Sequence, residues 1–138
     1  MKPTITIETV VNAPIEKIWG AWTEPEHITK WAFASEDWCA PSAKNDLRVG
    51  GTFTTRMESK DGAMGFDFGG TYTVVELHKK IAYEIGDGRK VGVEFIPDGE
   101  GQSYKIIETF EAESENPVEM QKSGWQSILN NFKKHVEA

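Results

Sequence analysis

The sequence predicts an α+β fold in which a curved antiparallel sheet grips one long C-terminal helix. Three observations predict it. The segment from Asn116 to Ala138 carries one apolar stripe, in which Val118, Trp125, Leu129, Phe132 and Val136 recur at spacings of 7, 4, 3 and 4. Residues 46–112 read almost entirely as short alternating strands separated by turn residues. The connections from 58 to 103 are all short, which favours antiparallel neighbours. A helix that must bury one face, following a run of strands, finds its partner in the concave side of that sheet, and a pocket can remain between the two.

Each element follows from local pattern. Residues 4–11 alternate Ile5 and Ile7 with Thr6 and Glu8, giving the first strand. Asn12-Ala13-Pro14 starts a helix with proline in its first turn, and Ile15, Ile18, Trp19 and Trp22 give that helix an aromatic face. Thr23-Glu24-Pro25-Glu26 resembles a capping box and opens a second short helix over 24–31. Residues 32–46 begin as a loop, followed by a short strand near 40–48. Strands follow at 52–58, 66–77, 81–85, 91–96 and 104–110, with turns at Lys60-Asp61-Gly62, Gly86-Asp87-Gly88 and Pro97-Asp98-Gly99. The pairs Gly50-Gly51 and Gly69-Gly70 predict bends or bulges in a strongly coiled sheet. Asn116, Pro117 and Glu119 look like a side-chain N-cap, a first-turn proline and a capping-box carboxylate for the last helix.

Composition bounds the function. A chain of 138 residues is expected to form one domain, 1–138, burying roughly 70% of the surface its unfolded form exposes. The net charge of −7 argues against nucleic acid and anionic membrane as partners, because phosphates are repelled. No apolar run approaches the roughly 18 residues that span a bilayer, so no membrane insertion is expected. The start Met1-Lys2-Pro3-Thr4-Ile5-Thr6-Ile7 alternates like a strand rather than a signal peptide, and a cytoplasmic location is expected. Cys39 is the single cysteine, which excludes an internal disulfide and reads as a small buried residue.

Four stretches in order carry a family likeness. They are Trp22-Thr23-Glu24-Pro25-Glu26-His27-Ile28-Thr29-Lys30-Trp31, Asp46-Leu47-Arg48-Val49-Gly50-Gly51-Thr52-Phe53, Gly70-Thr71-Tyr72 and Gly124-Trp125. With the element order they make the chain resemble the Hsp90-ATPase-activator-homologue-1-like family of the START/Bet v 1-like superfamily, over nearly its whole length. The resemblance implies a helix-grip fold: seven antiparallel strands around the C-terminal helix, two short helices after the first strand, and an apolar cavity. Members are mostly small bacterial proteins without an established activity. The superfamily includes lipid and hormone carriers, cyclases and a co-chaperone domain. The eponymous co-chaperones carry a further domain that engages Hsp90, for which 138 residues leave no room, so an Hsp90-type chaperone is not expected as a partner.

The residues themselves give a binding module rather than an assigned chemistry. Candidate ligand-binding residues are Trp31, Phe33, Trp38, Phe53, Met57, Phe66, Phe68, Met120 and Gly124, since aromatic and methionine side chains line adaptable apolar pockets. Gly124 sits mid-helix at a cost of roughly 1 kcal/mol relative to alanine, which suggests close packing against a strand or space left for a cavity beside Trp125. The expected partner is a small apolar or amphipathic molecule, oriented by groups such as Arg56, Asp67 or Tyr72; the alternatives are a cyclase- or hydrolase-type enzyme and a chaperone-associated or stress-response domain. No catalytic residue, metal ligand or cofactor is assigned. His27, His78 and His135 lack metal-ligand spacing, Arg48 and Arg56 read as salt-bridge partners, and Asp67 and Glu108 read as solvent or cavity-edge acids. Oligomeric state is left open.

Overall fold

Apolar alternation along each strand decides which face of the sheet turns inward, and the long helix covers that face. The computed structural model describes residues 3–99 and 103–138. The elements run β1 (Thr4–Val11), α1 (Ile15–Thr23), α2 (Pro25–Ile28), β2 (Trp38–Asn45), β3 (Thr52–Ser59), β4 (Gly65–Glu76), β5 (Lys80–Ile85), β6 (Lys90–Pro97), β7 (Tyr104–Glu111) and α3 (Val118–Glu137). The strands form one seven-stranded sheet in the order β1-β7-β6-β5-β4-β3-β2, every pair antiparallel. Short hairpins join β2 through β7, and β1 closes on the last strand. The α1–α2 segment carries the chain from one sheet edge to the other.

The core lies between sheet and α3. Ile5 and Ile7 of β1, Val91, Val93 and Phe95 of β6, and Ile106 and Phe110 of β7 all point inward. Leu129, Phe132 and Val136 of α3 meet them, as their helical spacing predicts. Trp22, Trp31 and Phe132 pack in mutual contact at centroid separations of 4.9–5.0 Å. Helix α3 is also pinned to β1 by polar contacts: Gln126 Nε2 donates to the Glu8 carbonyl at 3.2 Å and Lys133 Nζ to that of Val10 at 2.5 Å.

Several local expectations are corrected. The second helix is a single turn at Pro25–Ile28 rather than 24–31, and Glu24, not a capping side chain of Thr23, occupies its N-cap position. Thr23 Oγ1 instead donates back to the Trp19 carbonyl at 2.8 Å. The strand placed near 40–48 begins earlier, at Trp38. Gly69 and Gly70 lie in regular register with Thr54 and Phe53, and the irregularity in β4 falls between Tyr72 and Val74. Their glycine character answers close approach: a Cβ would sit 2.4 Å from the Phe53 carbonyl oxygen at Gly69 and 2.6 Å from that of Glu84 at Gly70. Helix α3 has no side-chain cap from Asn116. Gln121 holds its approach instead, donating through Nε2 to the carbonyls of Asn116 (2.7 Å) and Glu113 (3.1 Å) and accepting from the Glu113 amide (2.9 Å). Of the N-terminal stretch, Met1 and Lys2 lie outside the described residues; among those described, no helix is long and apolar enough to cross a membrane.

Candidate functional site: an aromatic cavity with a buried carboxyl

Strands β3, β4 and β5 present their inward side chains to the N-terminal half of α3, and the two surfaces do not meet completely. A cavity of about 330 Å³ remains. Its sheet wall is Phe53, Thr55, Met57, Phe66, Phe68, Tyr72 and Tyr83, each on the inward phase of its strand. Trp125, Ile128 and Leu129 supply the helix wall, and Trp22, Ile28 and Trp31 close the end beneath α1 and α2. Phe66 and Asn116 are the exposed lining residues, so the mouth lies between the β3–β4 hairpin and the start of α3.

The aromatic wall is locked by its own packing. Trp125 stacks flat on Phe110 at 3.9 Å and 10° and meets Phe68 edge-on. Phe53 contacts Phe68, Tyr72 and Tyr83 at 4.7–6.0 Å. Tyr72 Oη donates to Asn45 Oδ1 at 2.5 Å, and Asn45 Nδ2 donates to the Thr23 carbonyl at 2.6 Å, tying the sheet to the end of α1. Burial, the larger cause, raises the Tyr72 hydroxyl well above its ordinary range.

Glu108 is the exceptional polar group. It sits on β7 between Ile106 and Phe110 on the inward face, only 6% exposed, with Val93 and Ile7 as its strand partners. No hydrogen bond or ion pair reaches its carboxyl among the described residues. No fully enclosed side-chain oxygen there lacks a partner, so the Glu108 oxygens open onto the cavity. Burial alone pushes its carboxyl up to about 8. Tyr83, also buried, is raised by burial first and then by the neighbouring Glu108. The cavity's cationic lining residue, Arg89, is held by Asp87 at 2.7 Å.

The candidate residues divide. Trp31, Phe53, Met57, Phe66 and Phe68 line this cavity. Phe33 borders a separate polar groove with Ser127 and Asn131. Trp38 packs beside Phe66 at 6.0 Å without lining the cavity, and Met120 is 64% exposed on α3. Gly124 is not a lining residue, and a Cβ there meets no atom within 4 Å, so close packing does not explain it. Arg56 and Asp67 pair across β3 and β4 at 3.4 Å on the outward face and cannot orient a ligand inside; Tyr72 alone of that polar set lines the cavity. Sequence reasoning left out Tyr83, Thr55, Trp22, Gln121 and Ile128, named Trp125 only as a neighbour of the cavity, and placed Glu108 at an edge or in solvent. The alternation Tyr104, Ile106, Glu108, Phe110 carried the signal for Glu108.

Elsewhere, His27 Nδ1 lies 2.9 Å from His135 Nε2, joining α2 to α3. Glu24, Glu26 and His27 bring three possible metal-binding atoms within 4.8 Å of one another, but both carboxylates are exposed. His135 is thus a contact between α2 and α3.

The whole-chain pattern has a counterpart in sequence. Residues 12–137 match the family described as Activator of Hsp90 ATPase homolog 1-like protein. The chain belongs to that family. The family's START/Bet v 1-like helix-grip architecture is the one seen here. The AHSA1-like protein from Aeromonas hydrophila is 42% identical, with a TM-score of 0.90 over 98% of this chain and 92% of that one. Chr148 from Cytophaga hutchinsonii is 53% identical, with a TM-score of 0.83 over 97% and 92%. CV1439 from Chromobacterium violaceum, 24% identical with a TM-score of 0.85 over 99% of both chains, shares the fold. No curated protein matches.

Proposed function

We propose that this family member binds a small apolar or amphipathic molecule in the cavity between its sheet and α3. The observation that carries the reading is the cavity of about 330 Å³, walled mainly by aromatic side chains yet holding one unpartnered carboxyl. That volume falls at the lower end of the roughly 300–1,000 Å³ usual for ligand pockets. Apolar area removed from water would drive binding at about 25 cal/mol per Å² before the entropic cost of association. Native purification followed by denaturation and mass spectrometry of the extract tests the reading directly. A stoichiometric apolar compound is expected. Substituting Ile128→Trp, which adds bulk to the helix wall, should empty the extract while the circular dichroism spectrum stays native. An extract identical in both proteins removes the reading.

Glu108 supports a second reading, an acid–base enzyme working in the same cavity. A carboxyl pushed up to about 8 exchanges protons near neutral pH, where a general acid or base is most effective. Turnover of an aryl ester abolished by Glu108→Gln would establish it. Equal background rates in both proteins would remove it.

A further inference from the structure

The cavity offers its ligand an uneven set of polar partners. The Glu108 oxygens face the open space with no protein partner, as do the neutral hydroxyls of Thr55 and Tyr83, whereas the Tyr72 hydroxyl is engaged with Asn45, Gln121 with the 113–116 loop, and Arg89 with Asp87. A buried carboxyl without a partner is costly, and a donor brought by the ligand repays that cost. The cavity onto which it opens is lined by aromatic rings, among them Trp125, Tyr83, Phe68, Trp22 and Trp31. Their faces attract cations and offer nothing to an anion. The net charge of −7 draws cations to the molecule as well.

We infer that the ligand is an apolar, ring-bearing molecule ending in a basic amine, which enters as the ammonium and seats on the carboxyl of Glu108. This rests on the cavity-binding reading above and narrows it to a chemical class. A carboxylate terminus would face Glu108, while the cavity's one cationic lining residue, Arg89, is already paired to Asp87. An alcohol could donate one hydrogen bond but no charge. The titratable and charged groups that line the cavity with Glu108 are Tyr83 from β5, Tyr72 from β4, Arg89 from the β5–β6 turn and Glu113 from the loop before α3. None brings a free positive charge to the site.

The balance of protons gives a signature. Near pH 7 Glu108 enters as the acid and the ligand as the ammonium; the bound pair is carboxylate and ammonium, so one proton leaves to the buffer. The test is calorimetric titration of 2-naphthylmethylamine, 2-naphthylmethanol and 2-naphthoate into the wild type, Glu108→Gln and Ile128→Trp, in two buffers of different ionisation enthalpy. The amine should bind the wild type about tenfold or more tightly than the alcohol, naphthoate weakest, with a proton released per amine. Glu108→Gln should lose both the preference and the proton release while still binding the alcohol. Equal binding of amine and alcohol to wild type and Glu108→Gln, still blocked by Ile128→Trp, overturns the amine assignment and leaves the cavity. Failure of all three probes to bind the wild type overturns the cavity reading with it.

Discussion

Glu108 makes the protein's stability depend on pH. An unfolded glutamate ionises near 4.5, and here burial pushes the folded value up to about 8. Below the unfolded value both states hold the proton and ionisation of the group costs nothing. Between those two values the unfolded chain gives up its proton while the native one keeps it, so stability falls as pH rises, and above the folded value the loss is complete. At roughly 1.4 kcal/mol per unit the full loss is several kcal/mol. Glu108→Gln should therefore be more stable than the wild type by about 2–4 kcal/mol at pH 8, the difference shrinking toward pH 4, as read by urea unfolding at each pH. A flat difference across that range would contradict the buried carboxyl. Gly124 gives a second prediction: with nothing within 4 Å of a Cβ and no positive φ, Gly124→Ala should stabilise α3 by about 0.5–1 kcal/mol.

At the scale of elements, α3 is held at both ends by contacts the pattern of apolar residues does not contain. At its start, one buried glutamine makes three hydrogen bonds to the 113–116 loop. Gln121→Ala leaves those backbone groups unpaired and should cost about 1–3 kcal/mol in thermal or urea unfolding, with faster amide exchange across 113–116. At its end, His135 meets His27 of α2. Burial first, then the charges of His27, Lys30 and Lys17, hold the His135 imidazole below its usual value. Its neutral form belongs to the native state, so its contribution is present above the unfolded value and is lost as pH falls. In an NMR titration His135 should protonate at lower pH than a free histidine, and His27→Ala should move that midpoint upward. The element boundaries were legible where periodicity was long: β1, β3, β7 and α3 fall within a few residues of their expected limits. The caps were not: Thr23 has the right side chain but gives its hydroxyl to the Trp19 carbonyl, and the N-cap positions fall on Glu24 and Pro117.

At the scale of the whole molecule, aromatic contacts border the cavity: Trp125 stacked on Phe110, and Trp22 and Trp31 packed on Phe132. A ligand that fills it binds the native state alone. With probe at about 100 times its dissociation constant, stability should rise by roughly 2.7 kcal/mol, seen as an increase in Tm that Ile128→Trp abolishes. A probe that binds without raising Tm would be attached to the surface instead.

The sequence by itself determined the α+β class, the strand order in the chain, the gripped C-terminal helix and the family likeness, because periodicity of 2 and 3.6 residues decides which side chains must be buried. It also supplied four of the seven sheet-wall residues, since Phe53, Met57, Phe66 and Phe68 share the inward phase of adjacent strands. Only the tertiary structure decided that Phe33, Trp38, Met120 and Gly124 do not line the cavity, that Arg56 and Asp67 face outward, and that Glu108 opens inward without a partner. The reason is physical: a strand's phase names the face a side chain lies on, but whether that face meets protein, solvent or an unfilled space depends on residues far away in the chain.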